Sequence, residues 1–160
     1  MTVQVLYKNK NYSNNQVLFV EEGYNISDIK KHISGTELFY IKDLLKTSDL
    51  KKNLLVFEIS SQKKIILICI KKNLKSSEAE NLGAEFYGHI NNNKKNEYSI
   101  NTNSIQSKLE NFIGYFLHGL KLKYYEFNIY KSKKEKKNIL IYVSGNKNKL
   151  SIQNQLKFKA

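Results

Sequence analysis

Two apolar runs, Leu54-Leu55-Val56-Phe57-Glu58-Ile59 and Lys64-Ile65-Ile66-Leu67-Ile68-Cys69-Ile70, say most about how this chain folds. Both are rich in β-branched and aliphatic residues, and the polar segment 60–63 between them has the composition of a turn. They predict two consecutive strands. The second run has six apolar residues in succession, which is typical of a strand covered on both faces, because each side-chain direction then meets a packed layer. We expect this strand to lie in a sheet between helices.

Two helices are predicted after these strands. Ser77 and Glu80 have the spacing of a capping box and open a helix that runs to about Asn91. One face of this helix carries four apolar residues, Ala79, Leu82, Phe86 and Ile90. The second helix has seven large apolar residues on one stripe, Ile105, Leu109, Phe112, Ile113, Phe116, Leu117 and Leu120. Gly114 and Gly119 predict a close backbone approach or a helix end at one or both positions, since glycine costs about 1 kcal/mol in an exposed helix.

Shorter elements are predicted around this centre. Segments 2–7 and 16–21 have the composition of strands that form a hairpin or lie next to each other, and segments 98–101 and 138–143 predict two further strands. Segment 124–129 is expected to extend along the surface.

The segment 24–48 gives a weaker pattern. Ser27 is predicted to cap a short helix over residues 28–33, whereas residues 37–45 fit a strand or a helix. Strands alternate with helical segments, and no Pro/Gly/Ser-rich linker divides the chain. The sequence therefore predicts one three-layer α/β domain with a mixed central sheet flanked by helices.

The composition says more about coding bias than about a partner. The chain has 160 residues, enough for one domain of ordinary size, and a formal net charge of +13. All of its basic residues are lysines, arginine and proline are absent, and asparagine is unusually frequent. This pattern is typical of a very A/T-rich genome. The charge is weak evidence for a polyanion partner, because bidentate phosphate contacts are made by arginine.

The beginning of the chain does not have the pattern of a secretion signal. No basic segment there is followed by an apolar stretch, and the longest apolar run, 65–70, is far shorter than the roughly 20 residues that span a bilayer. The single cysteine, Cys69, cannot form an internal disulfide. We expect a cytoplasmic protein that has no membrane partner.

The sequence contains no recognisable catalytic, metal or cofactor site. A zinc site needs converging ligands, but His32, His89 and His118 each lack a second His or Cys nearby in the sequence. Cys69 lies in the most apolar strand, where a thiol is a small core group with a raised pKa. The seven glycines show no G-x-G or G-x-x-G spacing, so a phosphate cradle is not expected.

Paired carboxylates for acid–base catalysis are also not apparent. Glu21 and Glu22 are sequence neighbours that point to opposite sides of a strand, and Glu78 and Glu80 do not share a helix face. We expect no enzyme activity from the residues of this chain.

Segment 131–137, Lys-Ser-Lys-Lys-Glu-Lys-Lys, is the most conspicuous charged feature. It has two interpretations. One is a solvated turn in a lysine-rich protein. The other is a site for phosphates, whose nucleic-acid binding would be independent of sequence and sensitive to salt.

One stretch carries a family resemblance. Segment 116–124 is a helix end with a small-residue and leucine pattern, and it is followed by Tyr-x-Phe-x-x-Tyr-Lys-Ser-Lys-Lys. This order resembles the end of the amino-terminal domain of leucyl (cytosol) aminopeptidases, the M17 metallopeptidase family. The matching residues are Tyr125, Phe127, Tyr130, Lys131, Ser132, Lys133 and Lys134. The resemblance covers about residues 50–160.

The resemblance implies a macro-domain-like α/β fold over residues 1–148, without catalytic activity of its own. In the family this domain packs against a C-terminal peptidase domain and contributes to a hexamer, and in some relatives it also helps to bind DNA. Residues 149–160 would be the start of a linker helix. The family's two divalent metal ions, zinc or manganese, are held in the peptidase domain, whose Gly-Lys-Gly and Asn-Thr-Asp-Ala-Glu-Gly-Arg segments are absent here.

The matching segment is the candidate interaction surface, formed by Tyr125, Phe127, Tyr130, Lys131, Lys133 and Lys134. Two roles stay open for its rings: packing within this domain, or contact with an adjoining one while the hydroxyls stay solvated. Two alternative functions also stay open. One is a free-standing macro-like module that binds ADP-ribose or a nucleotide, and the other is a nonspecific nucleic-acid-binding domain.

Overall fold

The computed structural model describes residues 3–7, 15–27, 29–90, 97–105, 111–130 and 139–144. The six strands are β1 (Val3–Tyr7), β2 (Gln16–Glu21), β3 (Leu54–Ser60), β4 (Lys63–Ile70), β5 (Glu97–Asn101) and β6 (Ile139–Ser144). The three α-helices are α1 (Gly35–Leu45), α2 (Ser76–Ile90) and α3 (Phe112–Tyr130), and a 3-10 turn (Thr102–Ser104) follows β5. The predicted linker helix at 149–160 lies outside the described residues.

The strands form one mixed sheet in the order β1-β6-β5-β2-β4-β3. All neighbours pair in parallel except β3 and β4, the two strands predicted on either side of a turn, which pair antiparallel. The prediction that β1 and β2 are adjacent is wrong, because β6 and β5 lie between them. Strand β1 instead pairs in parallel with β6, which places the apolar Val5 opposite Ile141. A local pattern cannot reveal this partner, because β1 is the first and β6 the last of the described strands.

Helices cover both faces of the sheet, so the predicted three-layer architecture is confirmed. The residues of β4 alternate between two cores: Ile66 and Ile68 pack with α2 and α3, whereas Ile65 and Leu67 pack with α1. All four side chains are at most 1% exposed. The continuous apolar run of β4 therefore has the physical cause that we inferred, since both of its faces are buried.

The helix starts differ from the predictions in two of three cases. Segment 35–45, which fitted a strand or a helix, is a helix because Ser34 and Glu37 form a reciprocal capping box. The predicted Ser77–Glu80 box is wrong, because α2 begins at Ser76, two residues earlier than this box implies, and Glu78 accepts a hydrogen bond from the Lys75 amide (3.1 Å). The short helix predicted over residues 28–33 is a series of turns in its described part.

The third helix is displaced toward the carboxyl terminus relative to its prediction. Ile105 has extended backbone, and Asn111 has a positive φ of 60°, so the described helix begins only at Phe112. At its other end α3 continues to Tyr130, so the surface extension predicted for residues 124–129 is wrong. No residue after Gly119 breaks the helix, and the half-buried Tyr124 packs edge-on against Tyr87 of α2.

Helices α2 and α3 run in the same direction, since each connects parallel strands, and they touch through their backbones. A Cβ built on Gly83 would lie 1.9 Å from the Phe116 carbonyl oxygen, and one built on Gly119 would lie 1.9 Å from the Glu80 carbonyl oxygen. The close approach predicted at Gly119 is confirmed, and Gly83 supplies its counterpart. Only glycine allows this contact, because any Cβ would occupy the space of a backbone atom.

In the described residues, no helix has the length and hydropathy that a membrane span requires.

Candidate functional site

Polar residues gather at the carboxyl ends of the parallel strands. Strands β2 and β5 are neighbours. After β2 the chain passes to β3, which lies on one side of this pair in the sheet, and after β5 it passes to β6, which lies on the other side. In open α/β sheets, ligands bind outside the carboxyl ends of strands where the connections diverge in this way. The residues at this edge are Glu21, Asn101 and Ser144 and the turn Thr102–Ser104.

A buried hydrogen-bond network joins three strands at this edge. The Ser104 hydroxyl accepts a hydrogen bond from the Phe19 amide (2.9 Å) and donates to the Asn101 carbonyl (2.6 Å), which ties β5 to β2. The Thr102 hydroxyl donates to the Ser144 carbonyl (2.6 Å), which ties the turn to β6. Both hydroxyls are buried. These polar groups satisfy the sheet backbone, as buried polar groups must, and are therefore directed into the protein.

His32 reaches this network from the turns before α1. The Asn101 side-chain oxygen accepts from the Asn103 amide (3.0 Å), which places the Asn101 amide nitrogen toward His32 Nδ1 at 3.1 Å. Nδ1 therefore accepts the hydrogen bond, and the neutral ring carries its proton on Nε2. Within the described part of the chain, Nε2 is buried and has no partner. Burial, and to a smaller extent the charge of Lys31, lowers the pKa of His32.

We expect His32 to make the protein less stable in mild acid. Its folded-state pKa lies below that of the unfolded chain, so the unfolded state binds more protons, and stability falls as the pH drops through about 6.5. Urea unfolding followed by circular dichroism between about pH 7.5 and about pH 5.5 tests this. The loss of stability should be smaller in His32→Gln than in the wild type. The control His89→Gln removes an exposed histidine of α2. An equal pH dependence of the wild type and His32→Gln would contradict the prediction.

The predicted interaction surface lies on and after α3. Tyr125 is 55% exposed, and its ring centroid is 5.3 Å from that of Tyr124. Phe127 and Tyr130 belong to the last turns of α3. Lys131, Lys133 and Lys134 fall outside the described residues, so the lysine segment stays a prediction. Leu122, one turn before Tyr125 on the same side of the helix, is 50% exposed and was not singled out from the sequence.

The histidines and the cysteine lie apart from one another. Among the described residues, no group of three or more His, Cys, Asp or Glu side chains could hold a metal ion. His118 Nδ1 lies 3.3 Å from a Glu80 carboxylate oxygen, between α3 and α2. Cys69 is half-buried, and burial raises its pKa although hydrogen bonds from the Tyr24 and Gly23 backbone oppose the rise. The predicted direction of the Cys69 pKa is confirmed.

Sequence reasoning missed the edge network. Its only sequence signal is the run Asn101-Thr102-Asn103-Ser104 after a short strand, where Asn, Thr and Ser side chains favour turns stabilised by their own hydrogen bonds. The partners of Thr102 in β6 and of Ser104 in β2 are 42 and 85 positions away in the chain. Spacing rules for local motifs therefore could not find them.

Similarity to known proteins is found in the structure and not in the sequence. No protein-family model matches the chain, and no curated protein matches its sequence. Among solved structures it is similar to a mutant of tomato leucine aminopeptidase, with a TM-score of 0.65 and 11% identity over 98% of this chain and 35% of that chain. It is also similar to the macrodomain of Thermus aquaticus DarG, with a TM-score of 0.53 and 10% identity over 90% of this chain and 99% of that chain.

These two similarities confirm the macro-domain-like fold. At such low identities they establish fold alone, because one fold serves many functions. The chain spans about a third of the aminopeptidase chain that it matches and nearly all of the macrodomain.

Proposed function

We propose that this chain is the noncatalytic macro-like domain of a metal-dependent leucyl aminopeptidase of the M17 family. In this role it packs against a peptidase domain of the same polypeptide and supports assembly of a homo-oligomer, a hexamer in the full-length enzyme. The peptidase domain would hold the two zinc or manganese ions and release N-terminal amino acids from peptides.

The observation that carries this proposal is the extent of the structural similarity. Nearly the whole chain, 98%, superimposes on part of a leucine aminopeptidase, with a higher TM-score than on the macrodomain. The described part of the segment that suggested the family from sequence, which ends at Tyr130, also falls on α3, where Leu122 and Tyr125 offer apolar contact area one turn apart. We call these two residues the α3 patch. In addition, the Ser104 and Thr102 hydroxyls of the edge network are engaged by the backbone of the strands, which supports a packing role for this domain.

The purified chain should not hydrolyse a leucyl anilide when zinc or manganese is added. The described residues contain no cluster of His, Cys, Asp or Glu that could hold such an ion. A chromogenic leucyl anilide assay with either metal measures this directly. Release of leucine that persists through repurification would refute a noncatalytic role.

The proposal also predicts the size and activity of the natural protein. An antibody raised against this chain should detect a polypeptide much larger than the chain itself, and the precipitate should hydrolyse leucyl anilide when manganese is added. In that polypeptide, Tyr125→Ser should weaken the oligomer in sedimentation experiments. The matched control Tyr40→Ser removes an exposed tyrosine of α1 and should have no effect. A single species of the mass of this chain, without associated peptidase activity, would refute the proposal.

A free-standing macro-like module that binds ADP-ribose or a nucleotide is the second candidate function. The observation in its favour is that the similarity covers 99% of a macrodomain, compared with 35% of the aminopeptidase. The absence of paired glycines for a phosphate cradle counts against it. Calorimetry with ADP-ribose separates the two: micromolar affinity would favour the module.

Nucleic-acid binding through the lysine segment stays a prediction. It requires a steep loss of DNA affinity with salt, and a smaller slope when Lys133, Lys134, Lys136 and Lys137 are neutralised.

A further inference from the structure

A cleft of about 200 Å³ lies beside the carboxyl end of β4. One wall consists of Glu78, Asn81 and Glu85, which lie on the same side of α2. Asn53, just before β3, and Lys71, just after β4, complete its polar lining. The rest of the lining is apolar or weakly polar: Cys69, Leu74 and Leu82. This cleft is separate from the α3 patch and from the edge network.

Both carboxylates of the cleft are held in position by the protein. Glu85 Oε1 accepts a hydrogen bond from the Asn53 amide nitrogen (2.9 Å), and Asn53 is itself fixed because its carbonyl accepts from the Cys69 amide (2.9 Å). Glu78 Oε1 accepts from the Lys75 amide (3.1 Å). In the part of the chain that the structure describes, the second oxygen of each carboxylate has no hydrogen-bond partner. Two preoriented acceptors therefore line the cleft.

The Lys71 ammonium supplies the opposite charge. Among the described residues, no carboxylate lies within 4.0 Å of its Nζ, whereas Lys63, Lys64 and Lys123 each have such a partner. The cleft thus combines acceptors for a cation, a donor for an anion and an apolar surface. A purely anionic ligand would be repelled by the two carboxylates, and a purely cationic ligand would not use the Lys71 ammonium. A small zwitterion satisfies both signs.

The volume of the cleft limits the size of the ligand that it can hold. Pockets for drug-sized ligands have volumes of roughly 300–1,000 Å³, and this cleft is smaller. A nucleotide is therefore too large, whereas a free amino acid is of suitable size. Leu74 and Leu82 favour an aliphatic side chain, because they would bury it from water.

We propose that this cleft binds a free α-amino acid with an aliphatic side chain. Its ammonium group contacts Glu85, its carboxylate contacts Lys71, and its side chain lies against Leu74 and Leu82. This binding does not depend on the proposed aminopeptidase role, and it is tested on the chain alone.

The test is a titration of the isotope-labelled chain with L-leucine, followed by amide NMR resonances. L-Leucine up to about 10 mM should shift the resonances of Cys69, Asn81 and Glu85. Two analogues test the contribution of each charged group of L-leucine to binding: isoamylamine lacks the carboxylate, and 4-methylpentanoate lacks the ammonium. Each analogue should bind at least about tenfold more weakly than L-leucine. Absence of shifts, shifts confined to other residues, or equal binding of an analogue would overturn the proposal.

Two variants check the residues that we assign. Glu85→Gln and Lys71→Ala change exposed side chains and should each weaken L-leucine binding about tenfold. The matched control Asp43→Asn removes an exposed carboxylate of α1, on the other face of the sheet, and should leave the affinity unchanged. Unchanged binding in both cleft variants would overturn the assignment. The analogue titrations use the wild-type chain, so they remain decisive even where a variant folds poorly.

Discussion

Gly83→Ala should destabilise the protein by about 3 kcal/mol or more, as should Gly119→Ala. The added Cβ of Gly83→Ala would lie 1.9 Å from the Phe116 carbonyl oxygen and 2.8 Å from its carbonyl carbon. These are backbone atoms, so no side-chain rotation relieves the overlap. Helices α2 and α3 must move apart, and the gap would loosen the packing of the side chains between them and the sheet.

Urea unfolding followed by circular dichroism at constant pH measures both effects. The matched control is Gly88→Ala, which introduces the same methyl group into α2 at an exposed position with no atom within 4 Å. Because alanine favours the helix there, this control should stabilise the protein by roughly 0.5–1 kcal/mol. If Gly83→Ala destabilises the protein and Gly88→Ala stabilises it, the loss of stability is caused by backbone overlap and not by a change in helix propensity. A Gly83→Ala stability equal to that of the wild type would show that the helices are not in backbone contact.

Phe116→Ala should cost roughly 3–5 kcal/mol of stability. The ring of Phe116 is fully buried and lies at the centre of an aromatic cluster. Its centroid is 5.3 Å from that of Phe19 in β2 and 5.7 Å from that of Phe86 in α2. Removing it leaves a cavity where the sheet and two helices meet, and the rigid β2 cannot collapse into that space.

The matched control for this prediction is Phe39→Ala on α1. Phe39 is 76% exposed, so its removal should change stability by no more than about 0.5 kcal/mol. Both variants are measured by urea unfolding under the same conditions. In a double-mutant cycle with Phe19→Ala, the edge-to-face geometry of the two rings, 88° between planes, predicts a coupling of roughly 0.5–1.5 kcal/mol. Similar losses from Phe116→Ala and Phe39→Ala would contradict the assigned core.

Only part of the candidate sites is predictable from the sequence. Tyr125 was singled out through a motif, and it is exposed on a helix rather than on an extended segment. The cleft beside the carboxyl end of β4 is not predictable from the sequence, because Asn53 and Glu85 are 32 residues apart and neither has a motif around it. A polar residue far from its partners carries no periodic signal, so only the folded arrangement identifies it.

The layers of this protein follow from its local sequence pattern. The unbroken apolar run of β4 required burial of both faces of the sheet, and the apolar stripe along α3 required burial of one side of that helix, because exposing either to water would be unfavourable. Which distant segments meet is visible only in the folded chain: β1 beside β6, Gly83 against Phe116, and Thr102 bonded to Ser144. Hydrophobic periodicity is a local property of the chain, whereas these contacts depend on how all the layers pack together.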